Sequence, residues 1–139
     1  MKLVIAEKRS VAASIASALG ASSRADGFYE GNDLLVSWCV GYLESETSIV
    51  TWCVGHLVSP IDAAGYDPSF RKWHFEDLPI LPEPFRYVLA PGKEAAFENL
   101  RALMGRSDVD TIVNACDAGR EGELIFRLVY EMAGGRKPG

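Results

Sequence analysis

Two acids stand where a buried strand would run into a helix. Leu3-Val4-Ile5-Ala6 is a short continuous apolar run, of the kind that fills a strand covered on both faces, and Glu7 follows it directly. Thr111-Ile112-Val113-Asn114-Ala115-Cys116 also reads as a strand and ends in Asp117, with Ala118-Gly119-Arg120-Glu121-Gly122-Glu123 after it. In parallel α/β sheets ligands gather beyond the carboxyl ends of strands. The helix starts that follow favour anions such as phosphate. Mg²⁺ takes oxygen ligands, keeps several waters and needs only one or two carboxylates. Arginine grips a phosphate through paired N–H donors, and glycine lets backbone approach a ligand closely. The pattern therefore offers a cation site beside a phosphate site, suited to Mg²⁺-dependent phosphodiester chemistry. Either acid alone reads as a helix cap or a solvated first-turn charge. Three acids within seven residues, beside Arg120 and two glycines, favour function, and Glu7-Lys8 adds an independent element.

These groups need elements to position them. After Lys8, Ser10 reads as an N-cap, Val11, Ile15, Ala18 and Leu19 fall on one helical face, and Gly20 closes the helix. Residues 27–41 read as a hairpin, with Phe28 and Tyr29 in its first strand, turn chemistry in Gly31-Asn32-Asp33, and Leu34–Val40 returning. Six of the seven prolines fall between Ser59 and Pro91 and preclude long regular elements there. Trp73, Phe75, Leu78 and Ile80 are expected to pin this segment to the body. Tyr87–Ala90 reads as a second buried strand, Glu94–Met104 as a helix with Phe97, Leu100 and Met104 on one face, and Thr111–Cys116 as a third strand. A last helix turns Leu124, Ile125, Leu128, Val129 and Met132 inward. Alternating strands and helices predict an α/β fold: a Rossmann-like parallel sheet with flanking helices and an irregular β-rich insertion over about residues 27–85.

An internal repeat lies in that insertion. Val36-Ser37-Trp38-Cys39-Val40-Gly41-Tyr42-Leu43 recurs as Val50-Thr51-Trp52-Cys53-Val54-Gly55-His56-Leu57. One short duplication is not a solenoid. The copies either pair as a hairpin or compete for one place in a sheet, which would loosen its register.

Bulk properties narrow the function classes. A chain of 139 residues, 48% hydrophobic and 24% charged, suits one globular domain with a real core. The first apolar run is too short for a signal peptide and no run approaches a membrane span, so a cytoplasmic protein without membrane contact is expected. Cys39, Cys53 and Cys116 are widely spaced, which favours buried free thiols over a disulfide framework or a zinc site. A net charge of −5 argues against tight binding to duplex by charge alone, yet it is compatible with clustered metal-binding carboxylates.

Taken together, IAEKRSVAASIASALG, TWCVGHLV, YDPSFRKWHFEDLPILPE and CDAGREGELIFRLVY, in that order along nearly the whole chain, resemble the TOPRIM domain of bacterial type IA DNA topoisomerases of the topoisomerase III kind. The resemblance implies a TOPRIM-like fold, Mg²⁺ as cofactor, single-stranded DNA as partner, and ATP-independent cleavage and resealing of one strand by a tyrosine. By position, Glu7 matches the family acid that handles the proton of the 3′-hydroxyl. Lys8 matches the lysine that steadies the scissile phosphate. Asp117 and Glu121 match the first and last acids of the DxDxE metal motif, with Glu7 a further metal candidate, and Arg120 falls near the DNA backbone. His56, in Gly55-His56-Leu57, matches a signature near the site and reads better as a loop-shaping histidine than as a catalyst. Two positions depart from the family. Gly119 replaces the middle acid, so Mg²⁺ should bind more weakly; Glu123 either compensates or is a structural helix acid. Arg9 stands where the family usually has proline.

None of Tyr29, Tyr42, Tyr66, Tyr87 and Tyr130 lies in a context like that of the family's nucleophile. The chain therefore reads as the N-terminal part of a larger topoisomerase, dependent on downstream domains for the tyrosine and inactive alone. Two rival readings stand beside this one. One is another TOPRIM enzyme, a primase or an OLD-type nuclease. The other is a non-catalytic DNA- or protein-interaction domain, with self-association through the duplicated segment.

Overall fold

The computed structural model describes residues 1–40, 57–72 and 74–138. His56, Cys53, Trp73 and the second repeat copy up to His56 lie outside the described residues. Five strands form the main sheet: β1 (Lys2–Lys8), β2 (Ser23–Ala25), β3 (Phe28–Gly31), β4 (Leu34–Val40) and, much later in the chain, Thr111–Ala115. Two short strands intervene, β5 (Val58–Pro60) and β6 (Tyr87–Leu89), so Thr111–Ala115 is β7. The helices are α1 (Arg9–Leu19), α2 (Glu94–Gly105) and α3 (Arg120–Met132).

The main sheet runs β2-β3-β4-β1-β7. β1 lies between β4 and β7 and is parallel to both, with Val4 opposite Val36 on one side and Val113 on the other. β2, β3 and β4 are antiparallel to one another, so the sheet is mixed, with a parallel centre and an antiparallel edge. The hairpin turn is built as expected, with Asn32 and Asp33 both at positive φ (51° and 58°).

The strand alternation sorts the core onto two faces. Leu3, Ile5, Leu35, Cys39 and Ile112 face α2 and α3, where Phe97, Leu100, Leu103, Ile125, Phe126 and Val129 complete one buried cluster. Val4, Ala6 and Val36 face α1, which packs through Ala12 and Ala16. Small residues on both sides bring α1 close to the sheet. Gly20 ends α1 in the left-handed conformation, φ 76°.

Several expectations are corrected. Tyr87–Ala90 is not a buried strand of the main sheet. Its ordered core, β6, pairs antiparallel with β5 in a separate two-stranded sheet, and Tyr87 and Val88 are exposed. The central place belongs to β4, inside the segment expected to be an insertion. The apolar run Leu34–Val40 already carried the signature of a strand buried on both faces, and Leu35, Val36 and Cys39 are fully buried. Phe75 is 91% exposed and Leu78 is exposed too, so neither pins the proline-rich segment to the body. That segment folds into short 3₁₀ turns at Ala63–Gly65, Pro68–Arg71 and Phe75–Asp77. In α3, Leu124 faces solvent, and Phe126 packs inward instead. Ser10 does not cap α1: Lys8 holds the N-cap position without a side-chain bond, because the strand passes into the helix with no intervening loop.

Candidate functional site

The carboxyl ends of β1 and β7 lie side by side, since Ala6 is opposite Ala115. Continuing that register brings Glu7 beside Cys116, one residue before Asp117. The same continuation on the other side brings Glu7 beside Cys39, because Ala6 pairs with Trp38 and Lys8 with Val40. Glu7 thus stands between two thiols at the rim. Its side chain is only 13% exposed, and the Lys8 Nζ reaches back to within 3.7 Å of Glu7 Oε1.

The thiols form a short chain below the acids. Cys39 donates a hydrogen bond to Cys116, which holds the Cys39 thiol well above its usual pKa; burial and the Glu7 charge push the same way. That bond lowers the Cys116 pKa against opposing effects of burial and of Glu7, Asp117 and Glu123. The Cys116 Sγ also lies 3.8 Å from the Ile5 carbonyl oxygen. Both described cysteines are free, as expected, although Cys116 is only half-buried.

Asp117, Arg120 and Glu121 are exposed on the turn from β7 into α3. Gly119 is the N-cap, with extended backbone (φ −178°) and no side-chain cap, and Glu121 and Glu123 occupy the first turn, where the helix field favours acids. Gly122 is buried against the Asp117 backbone: a Cβ there would lie 2.1 Å from the Asp117 carbonyl oxygen. Only glycine lets the turn fold back that tightly, and this fixes how Asp117 sits relative to the helix.

Glu123 is already engaged. Asn114 Nδ2 donates to its Oε2 at 2.8 Å, and Arg127 Nε to its Oε1 at 2.7 Å. Both oxygens tie α3 to β7 and to its own next turn. Asn114 was not singled out in the sequence, although its alternation in β7 places it on the Glu7 side. The Glu123–Arg127 pair was readable from its i,i+4 spacing.

A metal fits this donor set in one manner. Asp117 and Glu121 offer exposed carboxylate oxygens, suited to a hydrated Mg²⁺ with few protein ligands. Among the described residues no group of three or more His, Cys, Asp or Glu side chains is placed to hold a metal ion. Lys8, Glu7 and Asp117 share one rim, Arg120 and Glu121 flank it on α3, and His56 is outside the described residues.

The Toprim domain family model matches residues 2–138, and the matched span takes in both acid-bearing strand ends. The chain belongs to the Toprim family. This Toprim chain is 40% identical to DNA topoisomerase 3 of Bacillus subtilis (strain 168) over 136 residues, 98% of the chain and 17% of that protein. It is 37% identical to DNA topoisomerase 3 of Staphylococcus epidermidis (strain ATCC 12228 / FDA PCI 1200) and 38% identical to that of Staphylococcus aureus (strain NCTC 8325 / PS 47), with the same coverage. The chain thus spans about a sixth of the curated relatives it matches. No helix among the described residues is long and apolar enough to cross a membrane.

Proposed function

We propose that this Toprim chain is the metal-binding part of a type IA DNA topoisomerase of the topoisomerase 3 kind. It would act on single-stranded DNA with a tyrosine supplied by downstream domains, in the cytoplasm. The observation that carries the reading is 40% identity to a DNA topoisomerase 3 across 98% of the chain, coupled with acids at two adjacent strand ends.

In this reading Glu7 is the proton carrier at the 3′-oxygen of the cut strand. Its low exposure keeps bulk water away from that oxygen, and Lys8, within 3.7 Å, places a positive charge where the scissile phosphate would rest. Arg120 meets a neighbouring phosphate from the start of α3. Asp117 and Glu121 would hold Mg²⁺, with Glu7 as a further ligand. When bound, the ion supplies positive charge against the phosphodiester. Residues 1–139 act as one domain here, and the tyrosine comes from outside it.

Magnesium titration tests this. Roughly millimolar Mg²⁺ binding, abolished by Asp117→Ala, is expected. No Mg²⁺ binding to either protein would favour the interaction-domain reading instead. One observation gives that second reading a basis: Phe75, Leu81 and Phe85 are exposed, a surface suited to protein contact. Sedimentation velocity tests self-association through the duplicated segment, with concentration-dependent dimers as its signature.

A further inference from the structure

Asn114 is an unusual residue for its strand. Asparagine is depleted in strands because its side chain competes for the neighbouring main chain. In β7 it stands two residues after the buried Ile112 and two before Cys116, on one face of the sheet. Its amide is used at both ends. The Cys116 main-chain N–H donates to Asn114 Oδ1 at 3.1 Å, and Asn114 Nδ2 donates to Glu123 Oε2 at 2.8 Å.

These two partners leave one orientation for the amide. A main-chain N–H only donates, and a carboxylate only accepts. Turning the amide over would set donor against donor at Cys116 and acceptor against acceptor at Glu123. Glu123 is itself gripped from the far side by Arg127 Nε, at 2.7 Å. Helix α3 therefore helps to hold the amide the right way round, and the amide presents a fixed acceptor to the end of β7. Glu123 is not essential to that acceptor, because the Cys116 N–H still calls for Oδ1 without it.

The bond to Cys116 reaches two residues along the chain. It is the Asx turn, by which an asparagine bends the main chain that follows it. The bend comes one residue after the last ladder pair, Ala6 opposite Ala115, and one residue before Asp117. Beyond Asp117 the chain is confined again. A Cβ at Gly122 would lie 2.1 Å from the Asp117 carbonyl oxygen, and the Glu123 N–H donates to the Gly119 carbonyl at 3.1 Å. The Asp117 side chain is exposed, so the main chain on its two sides sets where the carboxylate stands. Gly122 constrains the helix side, and Asn114 the strand side.

We infer that Asn114 is a positioning residue for Asp117, acting through the Cys116 N–H. This rests on the reading of Asp117 as a Mg²⁺ ligand, and it adds a residue that the acid motif does not contain. Asn114 itself meets neither the ion nor DNA in this account, since its oxygen is committed to Cys116 and its nitrogen to Glu123.

The test uses the isotope-labelled 139-residue chain. Mg²⁺ binding is followed by amide chemical shifts, and hydrogen exchange of the Cys116 amide is read without metal. Asn114→Ala should weaken Mg²⁺ binding by about tenfold, the low end of the loss when a partner that orients a metal ligand is removed. It should also speed exchange at Cys116 by roughly tenfold, as expected for an amide that loses its acceptor. Asn114→Val suits a strand and equally lacks an acceptor, so it should give the same two results even where the alanine variant melts early. Asn114→Asp combined with Glu123→Gln returns an oxygen to Cys116 and reverses donor and acceptor in the pair at unchanged net charge. That double variant should bring both readouts back to within about twofold of the parent. Parental Mg²⁺ affinity in Asn114→Ala and Asn114→Val, with binding through Asp117 intact in the parent, would overturn the inference and leave the metal reading standing. So would weakened binding with unchanged exchange at Cys116, or a double variant no better than Asn114→Ala. Absence of any Mg²⁺-dependent shift in the parent chain would overturn the metal reading and the inference with it.

Discussion

Gly122, in the first turn of α3, is packed directly on the carbonyl of Asp117, leaving no room for a Cβ: the atom would stand 2.1 Å from the oxygen and 3.0 Å from the Asp117 nitrogen and carbonyl carbon. The neighbouring atoms are backbone, so they yield only if the turn itself moves. Gly122→Ala should therefore displace Asp117. We expect a destabilisation of about 1–3 kcal/mol, as for overpacked sites, together with weakened Mg²⁺ binding. Urea denaturation and magnesium titration of the same variant check this. A variant with parental stability and parental Mg²⁺ affinity would show that the contact does not position Asp117.

Gly119, three residues earlier, is the opposite case. Its backbone is extended, φ −178°, and an added Cβ meets nothing within 4 Å. Any residue adopts that conformation. Gly119→Asp should fold normally and, by adding a carboxylate beside Asp117 and Glu121, tighten Mg²⁺ binding by roughly three- to tenfold, since ligand charge count tunes cation affinity. Calorimetric titration reads the change; unaltered affinity would mean that position 119 does not face the ion.

Glu123 supplies a control on the metal assignment. Asn114 and Arg127 occupy its two oxygens, and about half of the carboxylate is exposed. Glu123→Ala should cost no more than about 1 kcal/mol, the scale of exposed ion pairs, and leave Mg²⁺ affinity within about twofold. Loss of Mg²⁺ binding comparable to that of Asp117→Ala would make Glu123 a ligand after all.

Acid should loosen the fold through a pair at the opposite end of the sheet. Arg106 donates to both oxygens of Asp108, at 3.0 and 2.8 Å, and this holds the Asp108 pKa down to about 2. Asp110 is lowered as well, first by its hydrogen bond with Thr111 and next by the N-terminal amine. A carboxyl whose folded pKa lies below its unfolded value, about 3.9 for aspartate, stabilises the fold fully above that value. The contribution is lost as pH falls through about 2. Melting temperature should drop between about pH 4 and pH 2, and Asp108→Asn should make that drop shallower. An equally steep acid limb in the variant would remove Asp108 from the account.

How much of this was legible in the residues follows from which signals are local. The acid-tipped strand β1 was readable because a strand covered on both faces needs an unbroken apolar run, and Leu3–Ala6 is one; β7 was readable from Ile112 and Val113, although it lies at the sheet edge with only Ile112 buried. The Leu34–Val40 run carried the same signal. The turn before it suggested a hairpin set apart from the sheet, yet one strand can close a hairpin on one edge and pair in parallel on the other. Tyr87–Ala90 misled for the converse reason: it is apolar, but its pairing with β5 leaves two of its side chains in water. At the site, Glu7 and Asp117 were visible as types at strand ends. The Gly122–Asp117 contact and the grip of Asn114 on Glu123 were not, because both depend on how tightly a turn folds back.

The central claim is that Glu7 and Asp117 belong to one strand-cleaving centre. The most direct measurement grafts this chain in place of the matching 17% of Bacillus subtilis DNA topoisomerase 3 and follows relaxation of negatively supercoiled plasmid in Mg²⁺ without ATP. The chimaera should relax the plasmid. Glu7→Ala and Asp117→Ala together should slow relaxation by roughly a hundredfold or more, the scale of losing a positioned proton carrier. Relaxation that survives the double substitution at the chimaera's own rate would contradict the assignment.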